Sequence, residues 1–151
     1  MSEPRGIDTL RDLPDRRRMR PDVDPARAVT VLVLEPYPGV RDILTRILGR
    51  AGYRVLGAGS REVADQVCAG HSGVIDLILA EVDFPPTGGV RAALAVTAQH
   101  PGAAVLYCSG HSRQLLVRLG ALPPDVPFLA KPFLVGDLLA DVREVLWWRP
   151  R

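Results

Sequence analysis

A doubly wound α/β domain, with a five-stranded parallel sheet in the order 2-1-3-4-5, is the fold class this sequence predicts. Three observations carry it. Apolar, β-branched runs recur five times and lack the polar alternation of a half-solvated strand. Amphipathic segments at helical spacing separate those runs. The length, 151 residues, suits one domain. Strands buried on both faces and joined by helices form a parallel sheet covered on both sides. Right-handed crossovers then leave few ways of ordering it.

The elements follow in turn. VTVLVL (29–34) is the first strand. Behind it Val40, Ile43, Leu44, Ile47 and Leu48 recur at helical spacing, and Gly52 stops that helix. YRVLGA (53–58) is a short second strand, and Ser60 caps a helix over 61–69 that turns Val63, Ala64 and Val67 inward. VIDLILA (74–80) is the most apolar strand, followed by a weaker helix over 88–99 around Val90, Ala93, Leu94 and Thr97. AAVLYCS (103–109) is the fourth strand, and Leu115, Leu116 and Leu119 mark a short helix ending near Gly120. VPFLA (126–130) is the fifth strand, and the last helix carries Leu138, Leu139, Val142, Val145 and Leu146.

Residues 1–28 stand apart. They hold seven arginines against six acids and almost no large apolar side chain. Such a stretch cannot bury enough surface to offset its ordering entropy, so it is predicted to be a disordered arm ahead of a domain at 29–148, with 149–151 as a tail. The near balance of charge favours a solvated arm. The alternative is a nucleic-acid or anionic-lipid contact through DRRRMR (15–20). The whole chain carries a net charge of only +2, too little to imply nucleic acid by itself. No apolar run approaches the length of a membrane span, and the N-terminus lacks the apolar centre of a signal peptide. Cys68 and Cys108 show neither metal spacing nor a disulfide framework, which fits reduced thiols in a cytoplasmic protein. Among the basic residues eighteen are Arg and one is Lys, Lys131. Against such compositional drift, a retained Lys marks a position that needs an ammonium.

In a doubly wound sheet the site lies outside the carboxyl ends of the strands, at the switch point. The first strand runs out at Glu35, before PYPG, and the third at Glu81, before VDFPPTGG. The fourth ends at Ser109-Gly110 and the fifth at Lys131-Pro132. An acid, a hydroxyl and a Lys around one point make a phosphoryl-type site, because ammonium and hydroxyl groups are good partners for charged oxygens. Asp83 falls where the loop leaves the sheet and reads as a solvated acid. Asp76 begins its strand at the opposite edge and has no expected site role. His71, His100 and His111 lie in predicted loops or at helix starts without paired ligand spacing, and His111, nearest the site, reads as a surface residue. GAGS (57–60) lacks the full glycine fingerprint of a dinucleotide loop. With no nucleophile–base pair and no phosphate-cradling loop, independent enzyme activity is not expected.

Residues 29–147 resemble a bacterial response-regulator receiver domain, a family with the flavodoxin-like (βα)5 fold. The segments that carry the resemblance are VLVLEPYPGVRDILTRILGRAGYRV, DLILAEVDFPPTGG, VLYCSGHS and FLAKPFLVGDLLADVREVL. The last two look most like receivers of hybrid histidine kinases. In that family an Asp at the end of the third strand accepts a phosphoryl group, and its position here holds Glu81. Paired acids after the first strand bind Mg²⁺, and their positions hold Glu35 and Pro36. The resemblance further implies a switch hydroxyl at Ser109, a phosphate-binding Lys131, a rotating aromatic at Phe128, and a cis peptide before Pro132.

The departures shape the expected function. Pro36 supplies no side-chain oxygen, although Mg²⁺ demands near-octahedral oxygen ligation. Glu81 is one methylene longer than Asp, so its carboxylate moves toward the space of a phosphoryl group. The sequence therefore reads as a degenerate receiver with no metal, a stand-alone adaptor that docks on a histidine kinase or another signalling protein without a phosphorylation cycle. Glu81 would reach Lys131, and with it Ser109, imitating part of a phosphorylated state with one negative charge instead of nearly two. Equally open is that Glu81 only neutralises a semi-buried Lys. The alternative function is a working phosphoacceptor, Glu81 or Asp83, with Glu35 and Mg²⁺. Trp147 and Trp148 either fold back on the core or face a partner. The resemblance implies a homodimer surface on the fourth helix, fifth strand and fifth helix.

Overall fold

The structure is a computed structural model that describes residues 27–148. Residues 1–26 and 149–151 lie outside it, and with them most of the expected arm and the tail. Strands and helices alternate: β1 Thr30–Leu34, α1 Pro38–Arg50, β2 Arg54–Ala58, α2 Arg61–Gly70, β3 Leu77–Glu81, α3 Gly89–Gln99, β4 Ala104–Ser109, α4 Arg113–Arg118, β5 Phe128–Ala130 and α5 Val135–Trp147. Every neighbouring pair is parallel, and the order is β2-β1-β3-β4-β5. The predicted fold class and strand order are those observed. No helix among the described residues is long and apolar enough to cross a membrane.

Side chains alternate between the two faces of a strand, and this parity divides the core in two. Val31 and Val33, Leu77 and Leu79, Leu106 and Cys108, and Leu129 pack with Leu44, Leu48, Leu138 and Val142 of α1 and α5. Leu32 and Leu34, Ile78 and Ala80, and Tyr107 pack the other way, with Ala64 and Cys68 of α2, Ala93 and Val96 of α3, and Leu116 of α4. Both faces are covered, as the unalternating strands required.

Several expected positions move. The third strand begins at Leu77 rather than 74 and takes in Glu81, which is buried. The fifth strand is only three residues long, because Pro127 ahead of it has no N–H to give a ladder. Ile43, Val63 and Leu94, expected to face the core, are exposed. Each lies about 100° around its helix from a buried neighbour (Leu44, Ala64 and Ala93), and a helix on a sheet buries only one stripe. Arg27, placed in the arm by the sequence, instead grips Asp76 in a bidentate pair at 3.0 and 2.8 Å. Asp76 is buried and also accepts the Thr30 N–H at 2.8 Å. It fixes the foot of the sheet, at the end away from the candidate site.

The turn after β3 is built around two glycines. Gly88 adopts φ of +98°, a conformation that disfavours other residues. Gly89 starts α3 and donates its N–H to the Val82 carbonyl at 2.9 Å. A methyl group at Gly89 would collide with the Glu81 carbonyl. Gly89→Ala should therefore cost about 2–3 kcal/mol in urea unfolding, since the clash is with backbone that cannot swing aside. Gly49→Ala, on open helix surface, should be neutral or raise stability by about 0.5–1 kcal/mol in the same assay.

Candidate functional site

The parity that builds the core also builds the site. Continuing the α1–α5 face past the apolar residues, β1 reaches Glu35, β3 reaches Glu81, β4 reaches Cys108, and two residues beyond Leu129 comes Lys131. Leu34 is level with Ala80, and Glu81 with Cys108, so the site residues come out abreast. The Glu35 N–H is held by the Ala58 carbonyl at 3.1 Å, and the Lys131 N–H by the Ser109 carbonyl at 2.8 Å.

Lys131 closes the cluster. Its Nζ lies 2.8 Å from Glu35 Oε2 and 2.7 Å from Glu81 Oε2. Glu35 is fully buried and Glu81 nearly so. Buried carboxylates persist only when paired and hydrogen-bonded, and one ammonium serves both. The Tyr37 N–H approaches Glu35 Oε1 at 3.4 Å, while Arg41 Nη1 donates to the Glu35 carbonyl at 2.8 Å. The Arg41 side chain runs over Gly57 and Gly59, which have no side chains to block it. Burial opposes the charge on Lys131, but its hydrogen bonds to Glu35 and Glu81 outweigh that cost and raise its pKa. Burial pushes the Cys108 thiol up far more than Lys131 draws it down, so it stays protonated. Cys108 Sγ donates weakly to Glu81 Oε2 at 3.8 Å.

Ser109 does not join Glu81. One residue beyond Cys108, it points to the other face, where its Oγ accepts the His111 N–H at 3.0 Å. The β4 side chain beside Glu81 is the thiol of Cys108. Phe128 shares the Ser109 face and packs half-buried against the α2–α4 side of the core. The Arg113 guanidinium lies 5.4 Å above its ring, with Nη1 bonded to the Val126 carbonyl at 2.7 Å. Asp83 is exposed in the loop. The peptide before Pro132 is cis, and so is the Pro85–Pro86 peptide. His111 is exposed, and His71 and His100 are half-buried. Among the described residues, the group of acids, thiols and imidazoles close enough to share an ion is Glu35, Glu81 and Cys108, with ligand atoms within 4.8 Å of one another. Cys108 and Arg41 were missed by sequence reasoning. Strand parity was the signal for Cys108, but it needs the β3–β4 register to be known.

No family model matches the chain. It is 28% identical over 132 residues to the sensor kinase CckA of Brucella abortus, a match covering 86% of this chain and 14% of that protein. It is 29% identical over 125 residues to the transcriptional regulatory protein PdtaR of Mycobacterium tuberculosis, covering 80% of this chain and 58% of PdtaR. The chain thus spans only part of the length of either relative. A response regulator receiver protein from Sinorhizobium medicae superposes with a TM-score of 0.67 at 26% identity, covering 80% of this chain and 95% of that one. In both fold and sequence the described domain is similar to response-regulator receiver proteins, and it carries Glu81 where that resemblance calls for the acceptor Asp.

Removing the ammonium should strand two buried carboxylates. Lys131→Met is expected to cost about 3 kcal/mol in urea unfolding at neutral pH, and a second change, Glu35→Gln, should return part of that loss. The raised Lys131 pKa also sets a pH window. Its stabilisation is complete below the ordinary value of 10.5 and is lost as pH rises through the higher folded value. The stability gap between wild type and Lys131→Met should therefore be flat from neutral pH to about 10 and narrow above it.

Proposed function

We propose that this receiver domain signals by binding a histidine kinase or another signalling protein and does not run the ordinary phosphorylation cycle. The observation behind this reading is the Lys131 ammonium, 2.8 and 2.7 Å from the Glu35 and Glu81 carboxylates. Glu81 already gives Lys131 an oxygen contact of the kind a phosphoryl group would make, so the arrangement imitates part of the phosphorylated state without chemistry. The imitation is smaller in charge, since a carboxylate carries one unit where a phosphoryl group carries about 1.5 to 2.

Mg²⁺ does not fit these residues well. It takes six oxygens at about 2.0–2.1 Å, whereas the side chains here offer two carboxylates already shared with an ammonium, and a protonated thiol. Pro36 adds no donor. The competing reading, a phosphoacceptor using Glu81 or Asp83 with Glu35 and Mg²⁺, draws its support from the closeness of Glu35, Glu81 and Cys108.

Intact mass after acetyl phosphate treatment, with and without Mg²⁺, separates the two. Wild type should gain no phosphoryl adduct in either condition. An adduct in Glu81→Asp alone would show that the pocket survives and only the nucleophile was exchanged. A Mg²⁺-dependent adduct on wild type would replace the binding reading with phosphotransfer.

A further inference from the structure

β5 is shorter than the strand it borders and pairs with Tyr107, Cys108 and Ser109 alone. The Tyr107 N–H points outward, to the Pro127 carbonyl at 3.1 Å, while the Ala104 N–H points inward, to the Asp76 carbonyl at 3.0 Å. Backbone groups alternate sides along a strand, so Val105 also turns its N–H and C=O outward. The ladder stops there because residue 127 is Pro, which has no N–H to give the Val105 carbonyl. Among the described residues, 104–106 are thus an open edge of the sheet. Such an edge is a template for an added strand.

A groove of about 570 Å³ lies along this edge, and its two sides differ in chemistry. Val105, Tyr107 and Phe128 line it on the α2–α4 face of the sheet. Asp141, Glu144 and Trp148, from the last turns of α5, line it on the other face. Trp148 is 76% exposed. Neither Asp141 nor Glu144 pairs with a described cation. Burial, then Glu144 and Asp137, raise the Asp141 pKa, as expected of acids crowded without a counter-charge. A two-fold pairing of two copies on this edge would bring the same acids together, so the groove selects against a second copy.

Side chains of an added strand alternate between the two faces of the sheet. One set would meet the apolar side of the groove and the other set the acids. We infer that the groove takes an extended segment of a partner protein in which Arg or Lys alternates with apolar residues. The segment adds to β4 at Val105, with its cations against Asp141 and Glu144 and its apolar side chains against Val105, Tyr107 and Phe128. Backbone pairing supplies the affinity, and the alternating pattern supplies the selectivity. This goes beyond the role proposed above. It uses none of Glu35, Glu81 and Lys131, so a phosphoryl adduct on wild type would leave it standing.

Amide-resolved hydrogen exchange on the full chain tests this with a short blocked peptide that alternates arginine with valine. At saturation the peptide should slow exchange of the Val105 amide at least about tenfold. Two control peptides should leave Val105 unchanged: one with glutamate in place of arginine, and one that keeps the arginines but is methylated on its backbone nitrogens. The paired changes Asp141→Asn and Glu144→Gln should raise the Kd of the basic peptide at least about fivefold. Core amides of β1 and β3 should keep their rates throughout, which shows that the domain stays folded. No slowing of Val105 by the basic peptide overturns the inference, and so does equal slowing by either control. Protection of Val105 already present without peptide overturns it too, because this chain would then cover the edge, or a second copy if the protection grows with protein concentration.

Discussion

Burying Glu35 and Glu81 at the ends of neighbouring strands is tolerable only because one ammonium sits between them. Each carboxylate alone would cost several kcal/mol to desolvate. Lys131 can meet both because the order β2-β1-β3-β4-β5 sets β1 beside β3, and the loop end after β5 reaches back across β4. The strand order and the register converge on this contact. The apolar face beneath it, shared with α1 and α5, keeps water from taking over the pairing.

The same contact gives the site its character. On the reading proposed above, the Lys that would meet a phosphoryl group is engaged by a carboxylate on either side. The extra methylene of Glu81 lets it span the distance. Cys108, level with Glu81 in the ladder, fills the adjoining space with a protonated thiol instead of an oxygen. On the opposite face of the sheet, Arg113 stacks on Phe128 and ties it to the loop before β5. The acidic cluster and the α4–β5 surface are thus one strand's thickness apart, joined where the Lys131 N–H meets the Ser109 carbonyl.

At the other end of the sheet Asp76 does comparable work. It gathers Arg27 and the start of β1, and its carbonyl holds the start of β4. The described chain therefore enters at the foot of β1 and β3, one strand in from the edge of β4 that β5 leaves uncovered. The short β5 follows from the prolines ahead of it, since Pro127 cannot continue a ladder.

Composition and periodicity by themselves determined the five alternating units, the covered parallel sheet and the four strand ends that carry Glu35, Glu81, Ser109 and Lys131. These are legible because a buried strand needs an unbroken apolar run, and a parallel sheet puts its polar residues at one end. Which helical residues face inward was less legible: Ile43, Val63 and Leu94 are as apolar as their buried neighbours, and only the angle at which each helix lies decides between them. The site membership was also a tertiary decision. Ser109 and Cys108 are adjacent in sequence, and a strand turns adjacent residues to opposite faces. The pairing of Glu81 with Cys108 across two strands settled which one joins the carboxylates, because register is fixed by the packing of both faces at once and not by either strand alone.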